Sequence, residues 1–122
     1  MIDFQNASFV KMKQDGSLVP MVQPLLVPRE NIIGAYRAIR DGVVFTDKRI
    51  IAVNVQGMTG KKKDFTSLPY SKIQAFSVET SGTLDIDSEL ELYFSGLGKV
   101  KFEFSAQSNI LQIQSVIACH VL

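Results

Sequence analysis

Residues 40–55 read Arg-Asp-Gly-Val-Val-Phe-Thr-Asp-Lys-Arg-Ile-Ile-Ala-Val-Asn-Val, and this stretch decides the fold. It contains two apolar runs, each preceded by a short polar break. Asp41-Gly42 is a strong signal for a two-residue hairpin, because both residue types tolerate positive φ. Residues 46–49 form the second break. Neither break is long enough for a helical crossover, so the neighbouring strands must be antiparallel. The stretch therefore predicts a β-meander.

The predicted meander has two apolar faces. Two-residue loops would place Ile39 opposite Val44, and Val44 opposite Ile51. Antiparallel sheets commonly leave one polar face to solvent, so two apolar faces both require cover. One face can line a barrel, and the other needs either the N-terminal lead-in or another subunit. The first face carries Ile39, Val44, Ile51 and Val53, and the second carries Ala38, Val43, Phe45, Ile50 and Ala52.

Length and composition indicate one globular domain that needs no disulfide, metal or cofactor. The chain has 122 residues, a formal net charge of +1 and 20% charged residues. This charge is too small to favour nucleic acid as a partner. The single cysteine, Cys119, excludes an intramolecular disulfide and fits a reducing compartment. The first residues contain neither a signal-peptide pattern nor an apolar span, so we expect a cytoplasmic protein.

The chain continues as strands after the meander. We predict strands at residues 31–40, 61–68 and 73–79, with a glycine-containing loop at 56–60. Residues 84–94 alternate, so the apolar side chains of this strand face inward and its acids face outward. A three-residue loop at 95–97 would then set Glu91 opposite Lys101 in the following strand, whose inward residues are Val100, Phe102 and Phe104.

Both ends of the chain differ from the meander. Residues 6–14 are compatible with a short helix or an irregular strand. At the other end, the spacing of Ile110, Ile113, Ile117 and Val121 predicts a helix that begins after a serine cap at position 105 or 108. Residues 105–122 contain no Asp, Glu, Lys or Arg. A helix on one sheet needs an apolar arc of only about 100°, so we expect a second contact on this helix.

Several motifs, in order, resemble the bacterial pleckstrin-homology (PH) domain family. They are Val-Phe-Thr-Asp-Lys-Arg-Ile-Ile (44–51), Gln-Gly-Met-Thr-Gly-Lys-Lys (56–62), Pro-Tyr-Ser-Lys-Ile (69–73), Phe-Ser-Val-Glu-Thr (76–80) and Asp-Ile-Asp-Ser-Glu-Leu (85–90). The resemblance implies a mainly β, PH-like barrel of two near-orthogonal antiparallel sheets, with about seven strands, capped by the C-terminal helix. It also implies a homo-oligomeric ring, a pentamer being typical, and no catalytic residues. It spans residues 25–122, so residues 1–24 are predicted to be an N-terminal extension.

Basic residues are the candidate ligand or lipid contacts. Eukaryotic PH domains bind phosphoinositides through a long first loop, whereas the connection here is too short to surround a headgroup. Lys61, Lys62 and Lys63 could form a basic rim with Met58 as an apolar anchor, or could be solvated charges that protect an edge strand. The complete set of candidates is Arg37, Arg40, Lys48, Arg49, Lys61, Lys62 and Lys63.

Metal and catalytic patterns are weak. Asp85, Asp87 and Glu89 resemble part of a calcium loop, but strand alternation already explains their spacing. Cys119 and His120 are adjacent on the predicted helix and diverge, so they make a poor nucleophile–base pair. The sequence therefore predicts no catalytic residues and no metal site.

We predict a non-enzymatic binding or scaffold module that self-assembles into a homo-oligomeric ring, whose further protein partner is unidentified. The alternative is a peripheral membrane module that binds anionic lipid through a basic loop. Nucleic acid is not an expected partner. The residues predicted for the contact between copies are Val43, Phe45, Ile50, Ala52, Leu111, Val116, Ala118 and Leu122.

Overall fold

The computed structural model describes residues 1–6, 9–80, 87–105 and 109–122. Two antiparallel sheets and a C-terminal helix confirm the predicted fold class, with strand order β1-β2-β3-β4-β5 in one sheet and β6-β7-β8 in the other. A 3₁₀ turn at Tyr70–Lys72 connects them. The strands are β1 (Lys13–Gln14), β2 (Ile32–Arg37), β3 (Gly42–Thr46), β4 (Arg49–Gln56), β5 (Lys62–Pro69), β6 (Ile73–Thr80), β7 (Ser88–Phe94) and β8 (Gly98–Phe104), and the helices are α1 (Val19–Val22) and α2 (Ile110–Val121).

The first hairpin differs from the prediction. Arg37 pairs with Gly42, so its loop contains the four residues 38–41 rather than two. The amide of Ala38 donates to the carbonyl of Asp41 at 2.7 Å and closes this loop. The predicted pairing of Ile39 with Val44 is therefore wrong, because Ile39 lies in the loop and is 95% exposed.

The second hairpin has the predicted register, with Val44 opposite Ile51. The side chains of Val43, Phe45, Ile50 and Ala52 point into the barrel, where they are 0–1% exposed. The sequence analysis assigned these four residues to a contact between copies. That assignment is corrected here, because the four side chains are already buried within one chain.

The outer face of the meander is covered by the N-terminal lead-in. Leu18 and Val22 are fully buried and pack with Val44, Ile51 and Val53 in a second hydrophobic cluster. The sequence analysis considered the N-terminal lead-in and another subunit as covers for this face, and the structure shows the lead-in covering it. At about 25 cal/mol per Å² of buried apolar area, each of these buried aliphatic side chains contributes about 1.5–3 kcal/mol to stability.

Residues 9–14 form an irregular strand that joins the two sheets, with a bend at Lys11, whose φ is 51°. The amide of Met12 donates to the carbonyl of Glu103 at 3.0 Å, and the amide of Glu103 donates to the carbonyl of Phe9 at 2.9 Å. Immediately afterwards, β1 pairs with β2. This segment therefore supplies hydrogen-bond partners to backbone groups at the edge of β8 and closes one corner of the barrel. Of the two alternatives predicted for residues 6–14, the irregular strand is correct for residues 9–14.

The second sheet follows the predicted alternation where it is described. Leu90, Leu92 and Phe94 face the core, whereas residues 84–86 lie outside the described residues. Glu91 lies opposite Lys101, as predicted. The ammonium of Lys101 is 3.4 Å from Glu89 and 3.7 Å from Glu91. The negative charge of Glu89 is the main cause that raises the pKa of Lys101, and the charge of Glu91 adds to it. These charges are thus paired within one chain.

Helix α2 begins later than predicted. Its N-cap is Asn109, whose side-chain oxygen accepts a hydrogen bond from the amide of Gln112 at 3.2 Å; Ser105 precedes the helix and Ser108 lies outside the described residues. The helix packs on the Tyr70–Lys72 turn and on β6 and β7. Ile110, Ile113 and Ile117 are buried, as their spacing predicts.

Candidate functional site

The strand directions divide the seven basic candidates between opposite ends of the first sheet. The loops at 38–41 and 57–61 lie at one end, and the β3–β4 turn at 47–48 lies at the other. The eight residues of β4 separate the ends by about 25 Å. We call residues 10–13, 37–41 and 57–63 the loop end. It contains Arg37, Arg40, Lys61, Lys62 and Lys63, whereas Lys48 and Arg49 lie at the opposite end.

Arg49 has a structural role at that opposite end. Its Nε is 2.9 Å from Glu30 Oε2, and its Nη2 donates to the carbonyl of Leu25 at 2.8 Å. Its Nη1 donates to Ser67 Oγ at 2.8 Å. Because these bonds use the fork of the guanidinium, Arg49 is committed to holding the lead-in against the meander.

The Glu30 carboxylate is buried, yet it is strongly stabilised in its charged form. Burial alone would raise its pKa, but hydrogen bonds from Arg49, Thr46 and the amide of Val27 outweigh that effect and lower the pKa of Glu30 to about 2. Tyr70 lies beside this network and donates to the carbonyl of Thr46 at 2.7 Å. Burial, then the charges of Asp47 and Glu30, raise the pKa of Tyr70. The network fixes the β3–β4 turn.

A groove of about 520 Å³ lies at the loop end, between residues 10–13 and 37–41. Val10, Ala38 and Ile39 give it an apolar lining. Its basic residues are Lys11, Lys13, Arg37 and Arg40.

The lysines of the N-terminal segment were missing from the sequence-based candidates. Residues 10–13 read Val-Lys-Met-Lys, with Met12 buried between two exposed lysines. This alternation of apolar and basic residues was the signal that could have identified an extended segment with basic residues on its outer side. The structure brings those lysines beside Arg37 and Arg40, which the sequence did select.

Side-chain hydrogen bonds brace the two loops of the loop end against each other. The Arg40 guanidinium donates to the carbonyl of Gly57. The Asp41 carboxylate accepts from the amide of Val55 at 2.9 Å and from Asn54 Nδ2 at 3.1 Å. Gly57 takes φ of 78° in the second loop, a conformation that favours glycine. Asp41 also lines the groove, and its carboxylate holds the end of β4 through these two hydrogen bonds.

Each braced loop presents an apolar side chain to solvent. Ile39 is 95% exposed in the first loop and Met58 is 103% exposed in the second. Lys61, Lys62 and Lys63 are also exposed, and within the described residues they form no ion pair. The loop end therefore combines two exposed apolar tips with a group of available cations.

The remaining candidate chemistry lies elsewhere. Cys119 is exposed, whereas His120 Nδ1 is 2.7 Å from the carbonyl of Val116 and its ring centroid is 5.2 Å from that of Tyr70. In the part of the chain that is described, no three His, Cys, Asp or Glu side chains are grouped for metal binding, and Asp85 falls outside that part. None of the described helices has the length and apolarity to span a bilayer.

The sequence is similar to a protein-family model and to two bacterial proteins. Residues 3–121 match the family model described as "Bacterial PH domain". Two uncharacterized proteins of Bacillus subtilis (strain 168) are similar in sequence. YjqA is 47% identical over 96 residues, which are 77% of each chain, and YozO is 32% identical over 100 residues, which are 82% of this chain and 86% of YozO.

Solved structures extend the similarity to three dimensions. A DUF1696 family protein with a pleckstrin-homology domain from Shewanella loihica PV-4 has a TM-score of 0.77 and 38% identity, over 95% of this chain and 100% of that one. A pleckstrin homology domain from Shewanella amazonensis SB2B has a TM-score of 0.65 and 41% identity, over 96% and 93% of the two chains.

Proposed function

The chain belongs to the bacterial PH domain family, and from this premise we propose that it is a non-catalytic binding and scaffold module that assembles with copies of itself. The proposal places the module in the cytoplasm, since its one cysteine suits a reducing compartment. The observation that carries self-assembly is the exposed apolar surface of α2. Leu111 is 67% exposed and Leu122 is 95% exposed.

A continuous stripe runs along one side of α2. Leu111, Ser115, Ala118 and Leu122 follow the spacing that places side chains on one face of a helix. No charged residue interrupts it, although solvent-facing sides of helices are ordinarily charged. Ala118 is half-buried within the stripe, and the half-buried Val116 lies beside it. A second copy is the occupant that we propose for this surface.

The form of the assembly follows from symmetry. If the α2 stripe contacts a different surface on the next copy, the same contact repeats from head to tail and closes into a ring when the rotation allows it. A ring, with a pentamer as the family resemblance implies, is therefore the proposed assembly. Four of the eight residues predicted for the contact between copies line the barrel and are no longer part of the proposed contact, which keeps the four residues on α2.

The test uses one exposed residue on α2 and one exposed residue far from it. We expect light scattering during size exclusion to give a multiple of the 13.5 kDa chain mass for the unmodified protein. Leu111→Glu should shift this mass to that of the monomer, since it places a charge in the contact. Met58→Glu, on the fully exposed loop tip, is the matched control and should leave the mass unchanged. Equal masses for the two variants and the unmodified protein would refute the α2 contact.

A second candidate function is contact with anionic lipid, favoured by the exposed lysines beside Met58. Lys61, Lys62 and Lys63 are exposed at the start of β5 and free of ion pairs among the described residues. Such lysines gain favourable energy near an anionic leaflet, and salt weakens this attraction. Sedimentation with vesicles should show binding that requires anionic lipid and falls when the three lysines are replaced by alanine. Binding that is insensitive to both salt and these replacements would exclude this function.

A further inference from the structure

Strand β6 is an edge strand whose outer backbone has no partner strand in the part of the chain that the structure describes. Its inner side pairs with β7, and residues 75–80 pair one to one, beyond a register irregularity near the start of β6. In an antiparallel pair, alternate N–H and C=O groups of an edge strand point away from the sheet. These outward groups can bond to a further strand.

The edges of the other described strands are protected against pairing, whereas the edge of β6 is not. β8 is covered by residues 9–12, and β1 has only two residues. β5 begins with lysines and ends with Pro69, which has no N–H to donate. Cover, shortness, charge and proline are the common means by which proteins protect an edge. In contrast, residues 73–78 read Ile-Gln-Ala-Phe-Ser-Val, with no charge, glycine or proline.

The inward side chains of β6 retain exposed apolar surface. Phe76 lies opposite Leu92, and Val78 lies opposite Leu90. The two leucines are 0–1% exposed, whereas Phe76 and Val78 are only half-buried although they pack against the core. The topology explains this difference, since β7 has a strand on each side and β6 lies at the edge. A further strand beside β6 would therefore bury additional apolar surface, which favours its addition.

The outer face of β6 ends at a group of acidic side chains. Glu79 is exposed and lies opposite Glu89 of β7. A cavity of about 280 Å³ beside these two residues is also lined by Asp87 and Glu103. Lys101 is paired with Glu89, whereas the other three carboxylates form no ion pair among the described residues. A positive side chain on a neighbouring strand would meet complementary charge here.

We propose that β6 binds an extended segment of a partner protein as an additional antiparallel strand, and that this segment carries a lysine or arginine beside Glu79. This inference rests on the proposed function, because it names what the binding module binds. Antiparallel pairing is slightly more stable per residue, so the basic residue belongs near the N-terminal end of the segment. Apolar side chains alternate with it and lie on the side of Phe76 and Val78, whereas small polar side chains lie beside Ala75 and Ser77.

A second copy fits this edge less well than a partner protein does. Pairing of β6 with the β6 of another copy would close on two subunits, and it would not build the ring proposed above. The other long edge among the described strands is that of β5, where the amide of Ile2 donates to Thr66 Oγ1 at 3.1 Å and Ile2 is buried. Residues 1–2 therefore lie alongside β5, which its lysines and Pro69 also protect.

A designed peptide provides the first test. The labelled probe Lys-Val-Thr-Val-Thr-Val-Thr places its lysine and threonines on one side and its valines on the other. Fluorescence anisotropy at low salt should show saturable binding to the full chain. Glu79→Lys should weaken this binding about fivefold, and a probe that begins with glutamate should regain it on that variant. Asp3→Lys, at an exposed position outside the second sheet, makes the same change of charge and should leave the affinity unchanged.

N-methylation of the probe tests backbone pairing directly. Methyl groups on one alternate set of amides remove the bonds to β6 and should weaken binding at least about tenfold. Methyl groups on the other set point to solvent and should leave the affinity within about twofold. Amide hydrogen exchange of residues 75–80 should slow when the probe is bound, and that of residues 13–14 should not change. Thermal unfolding checks that Glu79→Lys retains the fold.

The outcomes separate this inference from self-assembly. Equal effects of the two methylated probes, or no recovery of Glu79→Lys by the glutamate probe, would overturn the proposed strand. Slow exchange at residues 75–80 that appears without probe as the protein concentration rises would also overturn it, because a second copy would then occupy the edge. Absence of probe binding by a protein whose mass is a multiple of 13.5 kDa would overturn the inference and leave self-assembly standing. A monomer that binds the probe as described would support the inference and refute self-assembly.

Discussion

Replacement of Glu30 by glutamine removes the charge that holds the lead-in over the meander, while the volume of the side chain is nearly kept. In the folded chain the Glu30 carboxylate is bound by Arg49, Thr46 and the amide of Val27. These bonds lower its pKa from the ordinary value of 4.5 to about 2. Such a difference corresponds to about 3 kcal/mol of stability at neutral pH.

The sign of the pH dependence follows from the lowered pKa. This contribution is fully present well above pH 4.5 and is lost as the pH falls towards 2, where the folded carboxylate takes up its proton. About 2 kcal/mol of it should be lost by pH 3. Glu30→Gln should therefore destabilise the protein by about 3 kcal/mol at pH 7, but by only about 1 kcal/mol at pH 3.

The assay is urea unfolding of both proteins at several pH values, followed by the difference in unfolding free energy. Other carboxyls with lowered pKa values, such as Asp47 and Asp64, titrate in both proteins and cancel in this difference. A difference that stays constant between pH 7 and pH 3 would refute the reasoning, because the Glu30 charge would then contribute nothing to stability.

Three further predictions concern the fold, each measured by urea unfolding. Leu18→Ala should cost about 2–5 kcal/mol, because Leu18 is fully buried under the meander; a cost no larger than that of Leu25→Ala, at a half-exposed position, would show that the lead-in does not cover the sheet. Gly42→Ala should cost about 1–3 kcal/mol or more, since its Cβ would collide with Leu18 and with the backbone of β2; unchanged stability would contradict this packing. Tyr70→Phe should cost about 1–2 kcal/mol by removing the buried bond to Thr46, and a neutral result would refute that bond.

The meander was predictable because its signals are local. The polar breaks, the apolar runs and the loop lengths together indicate antiparallel neighbours, and the pairing of Val44 with Ile51 follows from them. The pairing of Glu91 with Lys101 was predictable for the same reason, since a three-residue loop and a shared inner face leave one register.

The first hairpin was not predictable from local turn chemistry. Asp41 and Gly42 resemble a turn pair, but both are used for distant contacts. The Asp41 side chain binds the end of β4, and Gly42 sits inside β3, where Leu18 leaves no room for a Cβ. A glycine that is required by packing looks the same in the sequence as a glycine that is required by a turn. Because of this ambiguity, the sequence analysis placed Ile39 in a buried strand, whereas it lies in an exposed loop.

The candidate site was predictable only in part. Lys61, Lys62 and Lys63 were selected by their clustering, and all three are exposed, which is compatible both with a ligand contact and with solvated charges at the start of a strand. Arg49 was selected by charge alone, and its partner Glu30 lies 19 residues away in sequence. The contribution of Lys11 and Lys13 depends on how residues 9–14 join the two sheets, and this long-range pairing has no local signal strong enough to assign it.

The mass of the unmodified protein in solution tests self-assembly most directly. Sedimentation equilibrium over a wide range of concentrations should give a single mass that is a whole-number multiple of 13.5 kDa, because a closed ring has a fixed number of subunits. A mass of 13.5 kDa at every concentration would contradict the proposed assembly.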